Sequence, residues 1–182
     1  DTGAGIQQLW DGVKREVRDI HVRLFYRPLL SAVAALPADE RSLSLEQAHD
    51  RLAATGFRDP AGAMRHLAAL TSGLSRKATI QRHLMPVMLR WFADGVDPDY
   101  GLLAFRRVSE KLGETPWFLR LLRDSSGAAE RLTRVLSGSR FVGELLETIP
   151  ESVAWLDSDE HLRPRSGRAL QEEARAIQSR HA

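Results

Sequence analysis

The chain has 182 residues, 43% hydrophobic and 27% charged, which is enough for one domain or two small ones with a real core. It contains no cysteine, which excludes disulfides, thiolate catalysis and cysteine-ligated zinc, and no apolar run is long enough to cross a membrane. Basic and acidic residues number 26 and 24, without the clustered basic excess of a nucleic-acid-binding protein. We therefore expect a cytoplasmic protein whose partners are neither nucleic acids nor membranes.

The N-terminal part of the sequence predicts one long amphipathic helix. Apolar residues recur at steps of one, three and four and so share one helix face: Ile6, Leu9, Trp10, Val13, Val17, Ile20 and Leu24. We expect Pro28 to break or kink this helix, and a loop to occupy residues 37–42. Residues 1–5 lack an initiator Met and predict either a boundary remnant of a longer protein or a disordered segment.

Capping signals predict where the following helices begin. Ser44 and Gln47 match a capping box, and Gly56 suits the left-handed end of that helix. Three dipeptides combine a capping residue with proline at the first helical position: Asp59-Pro60, Asp97-Pro98 and Thr115-Pro116. Further helical patterns are centred on residues 80–91, 128–136, 141–148, 150–156 and 170–177.

No segment alternates with the period of two that marks a strand. The sequence therefore predicts an all-α fold, an irregular bundle of about nine or ten helices in two packed modules. The polar stretch between Asp94 and Asp99 is the expected boundary. It divides a module over 6–94 from a module over 97–182.

Three patterns could carry metal chemistry, but none has the context that a metal site needs. Asp97-Pro98-Asp99 is a pair of carboxylates, yet the proline and the apolar helix after it favour helix capping by Asp97. Asp157-Ser158-Asp159 lies in a polar segment and fits a solvated turn equally well. His49-Asp50 is the dipeptide of helical metal-dependent phosphohydrolases, with His21 and Asp94 as the further ligands that could complete it. We predict no catalytic, cofactor-binding or metal-ligating residue in this chain.

Several long runs resemble one enzyme family. Two long and specific runs lie within residues 56–113: IQRHLMPVMLRWFADG and LLAFRRVSEKLG. Residues 15–30 and 115–156 extend the similarity to roughly residues 8–175. They resemble the actinobacterial form of the bifunctional glutamine-synthetase adenylyltransferase/adenylyl-removing enzyme, in the helical region between its two nucleotidyltransferase domains. The resemblance implies a cytoplasmic parent enzyme of nitrogen metabolism that uses ATP and Mg²⁺ to attach AMP to a tyrosine of glutamine synthetase, and that removes it by phosphorolysis.

The Gly-Ser and paired-aspartate signature of the family's active sites is missing from this sequence. The resemblance therefore implies a non-catalytic interdomain scaffold or regulatory connector, with the flanking nucleotidyltransferase domains, glutamine synthetase and a PII-type signalling protein as partners. Besides Ile6 and Leu9, the candidate interface residues are tryptophans on apolar stripes and arginines that could pair with acidic partner surfaces: Trp10, Arg106, Arg107, Trp117, Arg120, Arg123 and Trp155.

Two alternatives stay open at this point. One is a binding module for a nitrogen-signalling protein or for glutamine. The other is a stand-alone helical metal-dependent phosphohydrolase built on His49 and Asp50.

Overall fold

A computed structural model describes residues 2–33, 43–113 and 115–181, and the loop predicted at 37–42 lies outside these ranges. Within them the chain is helical between its loops and contains no strand, which confirms the predicted all-α class. The described α-helices are α1 (Thr2–His21), α2 (Arg27–Val33), α3 (Leu45–Ala54), α4 (Pro60–Thr71), α5 (Arg76–Ala93), α6 (Pro98–Leu112), α7 (Pro116–Asp124), α8 (Ser126–Gly138), α9 (Arg140–Thr148) and α10 (Gly167–His181). A π-helical turn, Val22–Tyr26, joins α1 to α2, and a 3₁₀ helix, Pro150–Asp157, follows α9.

The predicted capping box forms at the start of α3. The backbone N–H of Gln47 donates to Ser44 Oγ at 3.1 Å, and the N–H of Ser44 donates to Gln47 Oε1 at 2.9 Å. Two donors that a helix start leaves unpaired are thereby satisfied. At the other end Gly56 has φ of +102°, a left-handed conformation that a side chain would disfavour.

Proline follows the N-cap residue of α4, α6 and α7, as the sequence predicted, but the caps differ. Asp59 accepts the N–H of Gly62, and Asp97 accepts the N–H of Tyr100, so both aspartates close their helices. Thr115 does not cap α7, because its hydroxyl donates to the carbonyl of Leu112 at the end of the preceding helix. The position of the helix start was predicted correctly, and the capping by Thr115 was wrong.

The chain passes Pro28 without leaving the helical conformation. The backbone N–H of Arg27 bonds to the carbonyl of Val22, five residues earlier, so the turn before the proline is widened to a π turn. Proline cannot donate to the carbonyl of Leu24, and this carbonyl and that of Phe25 accept bonds from Arg51 Nη1 at 3.3 and 3.0 Å. At the predicted break or kink, the chain therefore continues as a helix through a π turn. The carbonyls of Leu24 and Phe25 in this turn are satisfied by Arg51 of α3.

One apolar core runs through the middle of the described chain. Its largest fully buried side chains include Phe92, Phe105 and Phe118, with the rings of Phe92 and Phe105 6.1 Å apart. Core residues come from both sides of the predicted boundary at 94–97 and form a single cluster. Gly101 lets α6 approach α8 closely, since an added Cβ would lie 2.8 Å from Ser137 Cβ and 2.9 Å from the Phe92 ring.

The first and last helices stand apart from this core. Among the described residues, none of the buried side chains belongs to α1 or α10. The helices in the described ranges include none with both the length and the apolarity required to span a bilayer. The described side chains thus form a packed helical body from α2 to the 3₁₀ helix, and those described on the two terminal helices do not contribute to its core.

Candidate interface surfaces

The carboxylate of Asp97 is engaged on both of its oxygens. Oδ1 accepts the backbone N–H of Tyr100 at 3.1 Å, which caps α6, and Oδ2 accepts Arg140 Nη2 at 2.8 Å. The hydrogen bond from Arg140 lowers the pKa of Asp97, partial burial opposes this, and the Tyr100 N–H adds to the lowering. Capping by Asp97, as the sequence predicted, is confirmed.

Asp99, the second carboxylate of the pair, bonds to the two residues that precede a different helix, α4. It accepts the backbone N–H groups of Arg58 at 2.8 Å and of Asp59 at 3.1 Å, just before α4 begins. The side chain of Asp59 in turn accepts the N–H of Gly62 at 2.8 Å. These carboxylates line a cleft of about 240 Å³ between α4 and α6, but each is bonded to backbone donors at the start of a helix.

His66 lies in the same cleft, and its side chain also has a hydrogen-bonding partner within the protein. Its Nδ1 is 3.2 Å from Arg106 Nη1, and burial, followed by the charge of Arg106, lowers the pKa of His66. A neutral imidazole that accepts a bond from a guanidinium agrees with both observations.

The His-Asp pattern is not assembled into a site. His49 and Asp50 are neighbours on the surface of α3, with His49 Nδ1 3.3 Å from Asp50 Oδ1. Across residues 2–33, 43–113 and 115–181, no three histidine or acidic side chains come together as a metal would require. The phosphohydrolase alternative therefore has no ligand cluster in this part of the chain.

The arginines predicted as interface residues differ in how far they are already paired. Arg106 bonds to Glu110 at 2.7 Å, and Arg107 Nη1 lies 3.4 Å from the Glu147 carboxylate. Arg123 forms two bonds to its neighbour Asp124, at 2.5 and 2.7 Å. Each of these three side chains would have to share or exchange its acidic partner in order to bind another surface.

Trp117 and Arg120 are brought together at a cleft between α7 and the 3₁₀ helix. The cleft has a volume of about 420 Å³ and is closed on the other side by Ala154 and Asp157. Trp155, on the same 3₁₀ helix, is 57% exposed. The structure thus brings Trp117 and Arg120 together, whereas neither Arg123 nor Trp155 lines this cleft and Trp10 lies apart on α1.

Arg131 holds this 3₁₀ helix in place, a role that the sequence analysis missed. Its guanidinium donates to the carbonyls of Leu156 at 2.7 Å and Asp157 at 2.8 Å, and to the Asp159 carboxylate at 3.1 Å. Nothing in the local sequence of α8 signals this contact, because its acceptors lie more than twenty residues further along the chain. Asp159, which belongs to the Asp157-Ser158-Asp159 pattern, is therefore part of an ion pair.

An apolar stripe along α1 is exposed in the described part of the chain. Its members are between 40% and 73% exposed: Ile6, Leu9, Trp10, Val13, Val17, Ile20 and, in the π turn, Leu24. Leaving large apolar side chains half exposed forgoes on the order of 1 kcal/mol of burial free energy for each of them. Large contiguous apolar patches on proteins are often sites of interaction with a partner.

Comparison with known proteins gives close relatives along almost the whole chain. Three are named bifunctional glutamine synthetase adenylyltransferase/adenylyl-removing enzyme: from Leifsonia xyli, 67% identical over 94% of the chain, from Streptomyces coelicolor, 53% identical over 97%, and from Cutibacterium acnes, 46% identical over 99%. The chain spans only 18% of the length of each of these relatives. No family model and no solved structure matches it. The chain is therefore homologous to one segment of the bifunctional glutamine synthetase adenylyltransferase/adenylyl-removing enzymes, as the sequence resemblance predicted.

Proposed function

We propose that this chain is a non-catalytic helical connector between the two nucleotidyltransferase domains of a cytoplasmic glutamine synthetase adenylyltransferase/adenylyl-removing enzyme. The observation that carries the proposal is the exposed apolar stripe of α1, on a helix that contributes nothing to the core. Helices in proteins gain most of their stability by packing an apolar face, so α1 requires a neighbour. A connector with domains on either side supplies one.

The use of the acidic residues supports the non-catalytic part of the proposal. Asp97, Asp99 and Asp59 each accept backbone N–H groups at a helix start. A carboxylate that binds Mg²⁺ for nucleotidyl transfer must instead direct its oxygens towards the ion. In this proposal ATP and Mg²⁺ are bound by the neighbouring domains, and this segment fixes how those domains face glutamine synthetase.

The proposal is tested by assaying AMP transfer to glutamine synthetase in the presence of ATP and Mg²⁺. The purified 182-residue chain is expected to transfer no AMP. In the longer enzyme, the Asp97→Asn and Asp99→Asn variants are expected to retain AMP transfer within about twofold, because each asparagine keeps one oxygen that accepts a backbone N–H at a helix start. Loss of transfer in either variant, with the helical circular dichroism spectrum unchanged, would contradict the proposal.

A second candidate function is regulatory: the connector would bind glutamine or a PII-type signalling protein. Titration calorimetry of the chain with millimolar glutamine, and separately with the signalling protein, measures whether this segment binds either of them. Heat of binding in one titration would make the connector a regulatory module as well.

A further inference from the structure

The apolar stripe of α1 contains a regular seam. Ile6, Trp10, Val13, Val17 and Ile20 follow one another at steps of four, three, four and three residues. This is the heptad spacing of positions d and a, which keeps one narrow line of side chains facing a partner helix. We name these five residues the α1 seam.

The α1 seam is exposed along its full length. Its members are 68%, 54%, 46%, 59% and 40% exposed in chain order, so no helix in the described ranges covers it. The residues that flank the seam are mostly polar or charged, namely Gln7, Lys14, Glu16 and His21, with Leu9 as the apolar exception. A narrow apolar line between charged flanks fits the groove of one helix better than a broad sheet or a membrane surface.

A second copy of this chain is a poor occupant for the seam. In a parallel pair of α1 helices, Trp10 at an a position would face its own copy in the same layer. In an antiparallel pair, one register places Trp10 beside Ile20 of the second copy and Val13 beside its Val17. The same register places Lys14 beside the second Lys14 and Glu16 beside the second Glu16. The parallel pair would crowd two tryptophan rings into one layer, and the antiparallel pair would place like charges next to each other. Each of these disfavours self-association.

The longer polypeptide offers a better occupant. The chain spans 18% of the length of its relatives, so most of their sequence lies outside the region compared here. A helix in that remainder is tethered to α1, and tethering raises its effective concentration without any additional contact. It can also carry a small residue opposite Trp10 and complementary charges opposite Lys14 and Glu16, which a second α1 cannot.

We propose that the α1 seam packs, in the manner of a two-stranded coiled coil, against one helix of the nucleotidyltransferase domain that precedes it in the same polypeptide. This inference rests on the proposed connector function, because that function supplies the neighbouring domain. The docked helix would transmit the position of that domain to the core through the π turn and α2, since packed helices shift as units.

The test is a photo-crosslinking scan of α1 in the longer enzyme. A photoreactive phenylalanine derivative replaces Trp10, Val13 or Val17 on the seam and, as matched controls, Arg15 or Arg18 on other faces of the same helix. We expect crosslinks within one polypeptide from the seam positions only. The residues that they reach in the nucleotidyltransferase domain should be three or four apart, as on a helix.

Other outcomes would overturn the inference. Crosslinks to a second polypeptide would make the seam a dimer contact, and target residues two apart would indicate a strand. Equal crosslinking from Arg15 and Val17, or none from any position, would show that the seam is not the contact. The failure of this inference is separable from that of the connector function, because AMP transfer by the 182-residue chain alone would refute the connector whatever the crosslinks show.

Discussion

At the scale of single residues, some arginines of this chain satisfy backbone carbonyls that lie outside their own helix. Arg51 donates to the carbonyls of Leu24 and Phe25, and Arg82 Nη1 donates to those of Thr71 and Gly73 at 2.8 and 2.7 Å. Carbonyls at the end of a helix or beside a proline have no partner in their own helix, and a guanidinium can bond to two of them at once. The excess of arginine over lysine therefore has a structural use in addition to any role at an interface.

Replacement of Arg51 by alanine should weaken the joint between the π turn and α3. The variant loses two bonds to carbonyls and the contact of the guanidinium with the Phe25 ring, whose centroid is 4.8 Å away. Bonds from charged donors contribute about 1.5–3 kcal/mol, so we expect a loss of about 1.5 kcal/mol in the free energy of unfolding, measured in urea. Arg163→Ala, at an exposed position in the loop before α10, is the control and should change it by less than about 0.5 kcal/mol. Equal effects of the two variants would contradict this role of Arg51.

Asp97 should give the protein a measurable dependence on acid. Its pKa is lowered in the folded state, chiefly by the bond from Arg140, so its contribution to stability is complete above the ordinary pKa of an aspartate. That contribution is lost as the pH falls through the lowered pKa. The stability difference between the wild type and Asp97→Asn should therefore be largest near pH 7 and shrink on acidification towards pH 3, in urea unfolding followed at each pH. A stability difference for Asp97→Asn that stayed constant or grew in acid would refute the assignment.

At the scale of helices, the sequence predicted where elements begin better than how they are joined. Capping by Ser44, Asp59 and Asp97 depends on residues within three positions, so local patterns reveal it. The π turn before Pro28 depends on Arg51 of another helix, and the capping error at Thr115 reflects a competing carbonyl in α6. The contact of Arg51 is decided by tertiary packing, which a local pattern does not contain, whereas the carbonyl of Leu112 lies only three residues before Thr115 and competes with the cap locally.

The packing of α6 on α8 should be sensitive to one added methyl group. Gly101→Ala places a Cβ 2.8 Å from Ser137 Cβ and 3.0 Å from Ser137 Cα, where neither neighbour is the free end of a flexible chain. Overpacking of a core usually costs about 1–3 kcal/mol, and we expect a loss of this size in urea unfolding. Gly138→Ala, in the last turn of α8, meets no atom within 4 Å and should be neutral or slightly stabilising. A Gly101→Ala protein as stable as the wild type would show that the two helices can separate at little cost.

At the scale of the molecule, the sequence predicted which faces are apolar but not what covers them. The stripe of α1 and the faces of α6 or α8 have the same kind of periodicity, yet the faces of α6 and α8 are buried and the stripe of α1 is exposed. The spacing of apolar residues indicates that one face of a helix packs against an apolar neighbour, but it does not identify that neighbour. For this reason Trp10 could be proposed as an interface residue from the sequence. Which helices form the core and which leave their apolar face exposed could be learned only from the structure.

The division into modules at 6–94 and 97–182 leads to a prediction about cooperativity. Phe92 and Phe105 lie on opposite sides of the boundary and belong to one buried cluster, and Gln81 Nε2 of the first module donates to Ser109 Oγ of the second at 3.1 Å. Two modules that share a core should unfold together, so urea transitions followed by tryptophan fluorescence and by far-ultraviolet circular dichroism should coincide at one midpoint. Deletion of α1 up to Val17 should leave that midpoint nearly unchanged, because the residues removed bury nothing in the core. Two separated transitions would mean that the modules fold independently, and a large fall in the midpoint on deletion would mean that α1 supports the core directly.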